Sequence, residues 1–235
     1  MSPTVEALLD AVADHPRRLP DAFPGTPEGG WESARAAFPE TVGEDDRWRL
    51  PVYAYLIEAH GTTVLVDTGV GPGGSVASDW LGVTGSIGER PDVDLVVFTH
   101  LHQDHVGWGR AAFPNARFVV SEREWAANGG SRHVRAAFGS TPLETAAPGA
   151  LTRGVELVAL YGHTPGHCGV RVGDVLLTGD TFNHPLQLRE PEIPSGADAD
   201  RVQAARTRRA VLEDLGPGTR IGGAHLPGGW WALPA

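Results

Sequence analysis

Four side chains able to bind metal crowd into one short run, His100-Leu101-His102-Gln103-Asp104-His105, directly after the apolar stretch Asp94 to Thr99. So many adjacent polar groups cannot each find a private partner inside an apolar core, where an unpaired polar group is costly. The pattern therefore demands a buried strand that ends in a ligand-bearing loop. In extended chain the two-residue alternation points His100 and His102 to the same side, where they can share one ion. Asp104 and His105, just beyond at the start of a helix, face a second position. The alternative is a solvated histidine-rich loop, and the apolar strand before it and Val106-Gly107 after it speak against that reading.

A centre so rich in nitrogen needs further ligands from elsewhere in the chain. His163 stands in Gly162-His163-Thr164-Pro165-Gly166-His167, Asp180 in Leu177-Thr178-Gly179-Asp180-Thr181, and His225 in Gly222-Gly223-Ala224-His225. Each follows an apolar run and sits beside glycine, where backbone segments approach closely. A lone histidine is commonly structural, but the same arrangement three times over argues for one shared site. Neutral imidazoles with a few carboxylates suit zinc, and iron or manganese accept the same donors.

The rest of the chain reads as a mixed α and β pattern. Val5, Leu8, Leu9 and Val12 fall at helical spacing, which predicts an amphipathic helix over Val5 to Val12. Pro16 to Gly30 reads as irregular and Glu32 to Phe38 as a second short helix. Arg49 to Ala59 and Thr62 to Asp67 form a hairpin turned at His60-Gly61. Arg117 to Val120, Val155 to Leu160, Gly169 to Val172, Val175 to Leu177 and Arg220 to Gly222 read as further strands, and Glu122 to Ala127 as a helix. From Asn128 to Leu151 the periodicity fails, so a lid-like surface excursion with a helical turn at Val134 to Phe138 is expected. Asp198 is placed to cap a helix that runs to Leu215 and stops at Gly216-Pro217-Gly218. Repeats and low-complexity linkers are absent, so a single domain over residues 1–235 is the simplest organisation, with residues 1–48 an extension packed on it.

Charge and composition narrow the partners. The net charge of −10 repels phosphate backbones and argues against nucleic acid. No apolar stretch approaches the roughly 20 residues that span a bilayer. Met1 to Arg18 lacks the apolar run of a secretory leader, so a cytoplasmic protein acting on a small molecule is expected. Every basic residue is Arg; without Lys, a Schiff base or a lysine general base is excluded. The one cysteine, Cys168, forms no internal disulfide and reads as buried filler.

Taken together, His100-X-His102-X-Asp104-His105 with His163, Asp180 and His225 resembles the metallo-β-lactamase fold superfamily. Asp67-Thr68-Gly69 is similar to the early Asp-Thr-Gly element of that family, whose Asp orients the metal loop. The resemblance covers about Tyr53 to Pro227. It implies an α+β four-layer αββα sandwich, two mixed sheets flanked by helices, with the site at one edge of the sheets. It also implies two zinc ions per chain: His100, His102 and His163 on the first, Asp104, His105 and His225 on the second, and Asp180 bridging them. Two ions about 3.5–4 Å apart would share a hydroxide that attacks a carbonyl or phosphoryl centre near neutral pH. Asp104 and His184 are the catalytic candidates, His184 because lactonase relatives carry a helpful tyrosine near that place. His167 is a candidate to orient a ligand or to pack against the metal loop. Trp108, Phe182 and Trp125 are candidates for pocket walls or core, and His15, His60 and His133 read as surface residues.

Asp180 stands where β-lactamases of the fold have cysteine or serine, which demotes that activity. About ten residues follow His225, which weakens the glutathione-thioesterase reading, and the acidic charge weakens a nuclease. The remaining motifs look most like the acyl-homoserine-lactone lactonases and their organophosphate-hydrolysing cousins, so the expected reaction is hydrolysis of a lactone or ester. A thioesterase or cyclase, a phosphotriesterase, a mono-iron dioxygenase and a non-catalytic binding protein stay open as alternatives, as does a homodimer. One departure is the Gly82 to Pro91 segment, whose weak helical pattern predicts a shortened helix before the metal-binding strand.

Overall fold

Short apolar runs become strands when both of their faces can be buried at once. In the computed structural model, which describes residues 3–27, 29–89, 92–216 and 218–232, such runs build two six-stranded mixed sheets. The first holds β1 (Thr4–Arg18), β2 (Arg47–Ala59), β3 (Thr62–Val66), β4 (Leu95–Val97), β5 (Arg117–Ser121) and β6 (Glu144–Ala146), side by side in that order. The pairs β1–β2 and β2–β3 are antiparallel and the rest parallel. The second holds β7 (Gly149–Thr152), β8 (Val155–Ala159), β9 (Cys168–Val172), β10 (Val175–Leu177), β11 (Arg220–Gly222) and β12 (Trp230–Ala232), in which only β10–β11 is parallel.

Side-chain alternation makes the layers. In β4, Leu95 and Val97 join Val64, Val66 and Val119 against Leu157, Val170, Val175 and Leu177 of the opposite sheet. Val96, between them, packs outward with Leu65, Phe98, Phe118 and Val120 on the helical side. The helices are α1 (Leu19–Ala22), α2 (Gly30–Ala37), α3 (Val76–Leu81), α4 (Gly109–Ala112), α5 (Glu122–Asn128), α6 (Arg132–Phe138), α7 (Leu186–Arg189) and α8 (Arg201–Asp214). Phe138 and Val134 of α6 cover the first sheet, while Val211 of α8 covers Leu176 and Ile221 of the second. The result is the expected αββα sandwich.

Three local expectations need correction. Val5 to Val12 is strand, not helix: β1 runs alongside β2 from Thr4↔Glu58 to Arg18↔Arg47. Asn128 to Leu151 is more regular than expected: it supplies α5's end and the edge strands β6 and β7 of the two sheets, while the expected helical turn lies in α6, beside the site. Asp198 does not cap α8, since Asp200 Oδ1 accepts from Gln203 N at 2.9 Å instead. Pro217, in the expected stop of that helix, lies outside the described residues. The helix before β4 is indeed short, six residues in α3 with a single 3-10 turn at Ile87–Glu89; Arg90 and Pro91 also lie outside the described residues. Among the described residues, no helix is long and apolar enough to cross a membrane.

Candidate metal centre

The site residues leave the C-terminal ends of β4, β8, β10 and β11, so both sheets contribute to one edge of the sandwich. Just past β3, Asp67 adopts a left-handed backbone (φ 61°), which Asp tolerates better than most residues. That turn aims its carboxylate at the next loop. Oδ1 accepts from Thr99 N at 2.8 Å, Oδ2 accepts from Thr99 Oγ1 at 2.7 Å, and Oδ2 also lies 2.8 Å from His105 Nδ1. A carboxylate only accepts, so Nδ1 of His105 carries a proton and Nε2 faces Asp180 Oδ1 at 3.1 Å. His163 repeats the device, with Nδ1 on Asp198 Oδ1 at 3.1 Å and Nε2 3.3 Å from Asp180 Oδ2. His225 repeats it again, donating from Nδ1 to Pro51 O at 2.8 Å and pointing Nε2 at Asp180 Oδ1, 3.2 Å away.

His100, His102, His163 and Asp180 form one group of potential donor atoms lying within 4.8 Å of one another, and Asp104, His105 and His225 form a second. Asp180 lies between the groups, Oδ1 toward His105 and His225 and Oδ2 toward His163 and, at 3.9 Å, His100. Electrostatics favour positive charge here. Burial opposes charge on His105, yet Asp180 and Asp67 outweigh it and hold its pKa well above the usual range; His225 is raised in the same way, chiefly by Asp180. Burial alone would raise Asp180, but His225 and His105 hold it well below the usual carboxylate range. His102 is lowered to about 3 by burial and by His163. His100 Nε2, His105 Nε2 and Asp180 Oδ1 are buried with no hydrogen-bond partner among the described residues. Divalent cations would satisfy such orphaned nitrogen and carboxylate donors, so the residues fit metal.

The sequence profile of the metallo-beta-lactamase superfamily matches residues 47–225, a span that runs through all seven of these residues. The chain belongs to the metallo-beta-lactamase superfamily. A human relative, metallo-beta-lactamase domain-containing protein 1, is 35% identical over 223 residues, covering 83% of this chain and 78% of that protein. An N-acyl homoserine lactonase of a Bacillus species is 29% identical over 198 residues, covering 70% of this chain and 78% of the relative. Among solved structures, the dizinc quorum-quenching lactonase AidC, in complex with a product, superposes with a TM-score of 0.71 at 17% identity, covering 99% and 92% of the two chains. This superfamily member is thus a hydrolase whose clustered His and Asp residues suit a divalent metal.

Around the donors, this superfamily member has supports that no local motif announces. Glu124 in α5 is fully buried: Oε1 accepts from Leu101 N (3.0 Å) and Asn128 Nδ2 (2.8 Å), and Oε2 from Thr164 Oγ1 (2.6 Å) and Gly166 N (3.2 Å). It thereby ties the loop of His100 and His102 to the loop of His163. Asp198 holds Arg208 Nη1 at 3.2 Å and accepts from Ser195 N at 2.9 Å while it orients His163. His167, packed 5.0 Å from the His100 ring, accepts from Asp180 N at 3.1 Å, so it both orients and packs. Gly179 has a φ of +49°, and a Cβ there would lie 2.7 Å from Thr99 Oγ1. Only glycine lets Asp180 come this close to the metal loop. Cys168 is buried in the core between the sheets, as expected.

A cavity of about 150 Å³ opens on the cluster, where His102, Asp104, Asp180 and His225 face Trp48 and Trp80. His184 is not among its lining residues. Its Nε2 contacts Thr41 Oγ1 at 2.9 Å and its Nδ1 accepts from Leu186 N at 3.0 Å. Phe23, Trp31 and Phe38 surround the ring, and burial lowers its pKa to about 3. Phe182 is buried in the core beneath α8. Trp125 packs half-buried on the first sheet, and Trp108 donates from Nε1 to Asp10 Oδ1 at 3.0 Å. Trp108 does line a neighbouring cavity of about 280 Å³, which shares Gln103 and His133 with the first. His15 and His133, expected at the surface, both line the cavity over the cluster.

Proposed function

We propose that this chain is a dinuclear zinc hydrolase that opens lactones or cleaves esters with a compact reacting group. The observation that carries the reading is Asp180, whose two carboxylate oxygens turn to different donor groups. On this reading His100, His102 and His163 hold one ion, Asp104, His105 and His225 the other, and Asp180 both. Bound zinc supplies a water whose pKa drops to about 7 and polarises the substrate oxygen. The protein's own residues do the rest. Asp67, Asp198 and the Pro51 carbonyl keep Nδ1 of three histidines protonated and Nε2 inward. Asp104, buried but lining the cavity, is placed to hold the proton lost by the attacking water and to pass it to the leaving oxygen. Trp48, Leu50 and Trp80 give the cavity an apolar side.

Four further facts support it. A dizinc lactonase with its product shares the fold; a Bacillus lactonase is a relative in sequence. The 150 Å³ cavity is smaller than the about 300–1,000 Å³ of sites for drug-sized ligands, which suits a ring or a short acyl group at the cluster. The adjoining 280 Å³ cavity, lined by Gly73, Ala111, Ala136 and Ala137 among others, gives room for the remainder. Metal analysis and a panel of lactones, esters, thioesters, phosphotriesters and β-lactams test it. About two zinc per chain with lactone or ester turnover is expected. A single iron with oxygen consumption, or turnover confined to β-lactams, would refute it.

A further inference from the structure

We propose that His15, on the N-terminal edge strand, is the hydrogen-bond donor that the cavity presents to a bound ligand's oxygen, a carbonyl or carboxylate, through Nε2–H. The inference deepens the function proposed above and rests on it for the identity of the substrate, though not for the geometry. His15 is buried, and its ring is wedged between Trp48 at 5.3 Å and edge-on Trp80 at 5.1 Å. The backbone N–H of Arg17 donates to Nδ1 at 3.0 Å. That bond uses the Nδ1 lone pair, so the ring proton is on Nε2. Nε2 has no hydrogen-bond partner among the described residues, and the ring lines the cavity together with Asp104, Asp180 and His225.

Several other polar groups of this wall are already committed or cannot donate, while Gln103, Ser195 and Trp80, which also line it, lack the main-chain bond that fixes the His15 ring. Asn183 Nδ2 donates to Asp180 Oδ2 at 2.8 Å. His133 Nε2 is taken by the Leu101 carbonyl. Trp48 Nε1 is sealed from solvent, and Asp104 and Asp180 are acceptors. An oxygen that gains negative charge opposite two carboxylates needs a fixed neutral donor, and such a donor counts most in a site that excludes water. His15 has that character, and its tautomer is set by the main chain two residues on.

The test uses zinc-loaded full-length protein and 4-hydroxybutyrate, the ring-opened product of γ-butyrolactone, as the probe. Calorimetry measures its binding to the wild type, to His15→Phe, which keeps an aromatic ring between the two tryptophans, and to His15→Gln, which keeps an N–H. We expect His15→Phe to weaken binding at least about tenfold, the effect of one hydrogen bond to a charged oxygen. His15→Gln should stay within about threefold, with the zinc content of both unchanged. Equal affinity in the wild type and His15→Phe, including no binding by either, overturns the inference; so does equal loss in Phe and Gln variants, which would mean packing alone. If this pattern holds while no lactone, ester or thioester is turned over, the proposed function fails and the donor role of His15 stands.

Discussion

Replacing Glu124 by Gln should loosen the metal centre although Glu124 touches none of the proposed ligands. Each carboxylate oxygen accepts two hydrogen bonds, from Leu101 N and Asn128 Nδ2 on one side and from Thr164 Oγ1 and Gly166 N on the other. An amide NH₂ cannot accept, so one pair of donors is stranded whichever way Gln turns. Leaving a buried donor unpaired costs about 1–3 kcal/mol, which puts the loss at about 2–6 kcal/mol, a large part of a typical 5–15 kcal/mol stability. For a chain of this size that is a melting-point drop of about 4–24 °C, at about 2–4 °C per kcal/mol. Since the stranded groups belong to the loops of His102 and His163, zinc affinity should also fall, by about 10–100-fold. Denaturant melts of the metal-free protein give the first quantity, and competition with a chelator of known affinity gives the second. A Glu124→Gln protein with unchanged melt and unchanged zinc affinity would refute the idea that this side chain joins the two loops.

Asp198→Ala should cost about 3–5 kcal/mol by stranding the buried Arg208 charge; adding Arg208→Met should recover much of the stability in urea melts while zinc affinity stays low, and a double variant as unstable as the single one would contradict this. His184 is held neutral in the fold, with a pKa of about 3, whereas in the unfolded chain it takes up a proton near its unperturbed value of about 6.5. Its stabilising effect is therefore complete above about pH 6.5 and is lost as the pH falls toward 3, at about 1.4 kcal/mol per unit. Metal-free wild type should lose about 2 kcal/mol more than His184→Asn between pH 6.5 and 5, and parallel urea curves would disprove it. Asp180→Asn should abolish turnover and lower bound zinc, as metal analysis would show; full metal content with full activity would remove Asp180 from the centre.

The donors were legible in the sequence because each stands at the end of an apolar run, where the local pattern and the site coincide. β1 was not legible, for a physical reason. Val5, Leu8, Leu9 and Val12 sit at helical spacing, yet Leu9 and Val12 are 46% and 40% exposed in the strand. The register shifts between Leu9 and Ala11, a bulge that leaves Asp10 over and breaks the two-residue alternation. The bulged Asp10 turns inward, where Oδ2 accepts from Val70 N at 2.7 Å and Oδ1 from Ser86 N and Ile87 N at 2.7 and 2.9 Å. Pairing with β2, remote in sequence, outweighed a local period. His15 and His133 were unreadable for the same reason: nothing beside them in the chain marks them, and only tertiary packing brings them over the cluster. Asp198 shows the converse, a residue whose good local rationale as a helix cap lost to a buried partner, Arg208.

The two kinds of residue at this site also live on different parts of the framework. The donors are fixed to the ends of β4, β8, β10 and β11, and a shift there would disturb every metal distance at once. Other cavity walls come from elements outside those strand ends: His15 from the edge strand β1, Trp48 and Leu50 from β2, Trp80 from α3 and His133 from α6. Selection can therefore change what enters the cavity by rewriting peripheral segments, one at a time, while the hydrolytic apparatus stays as it is. A library confined to positions 15 and 80 should alter substrate preference with little damage to metal loading, whereas His133, bonded to the Leu101 carbonyl of the metal loop, is better left in place.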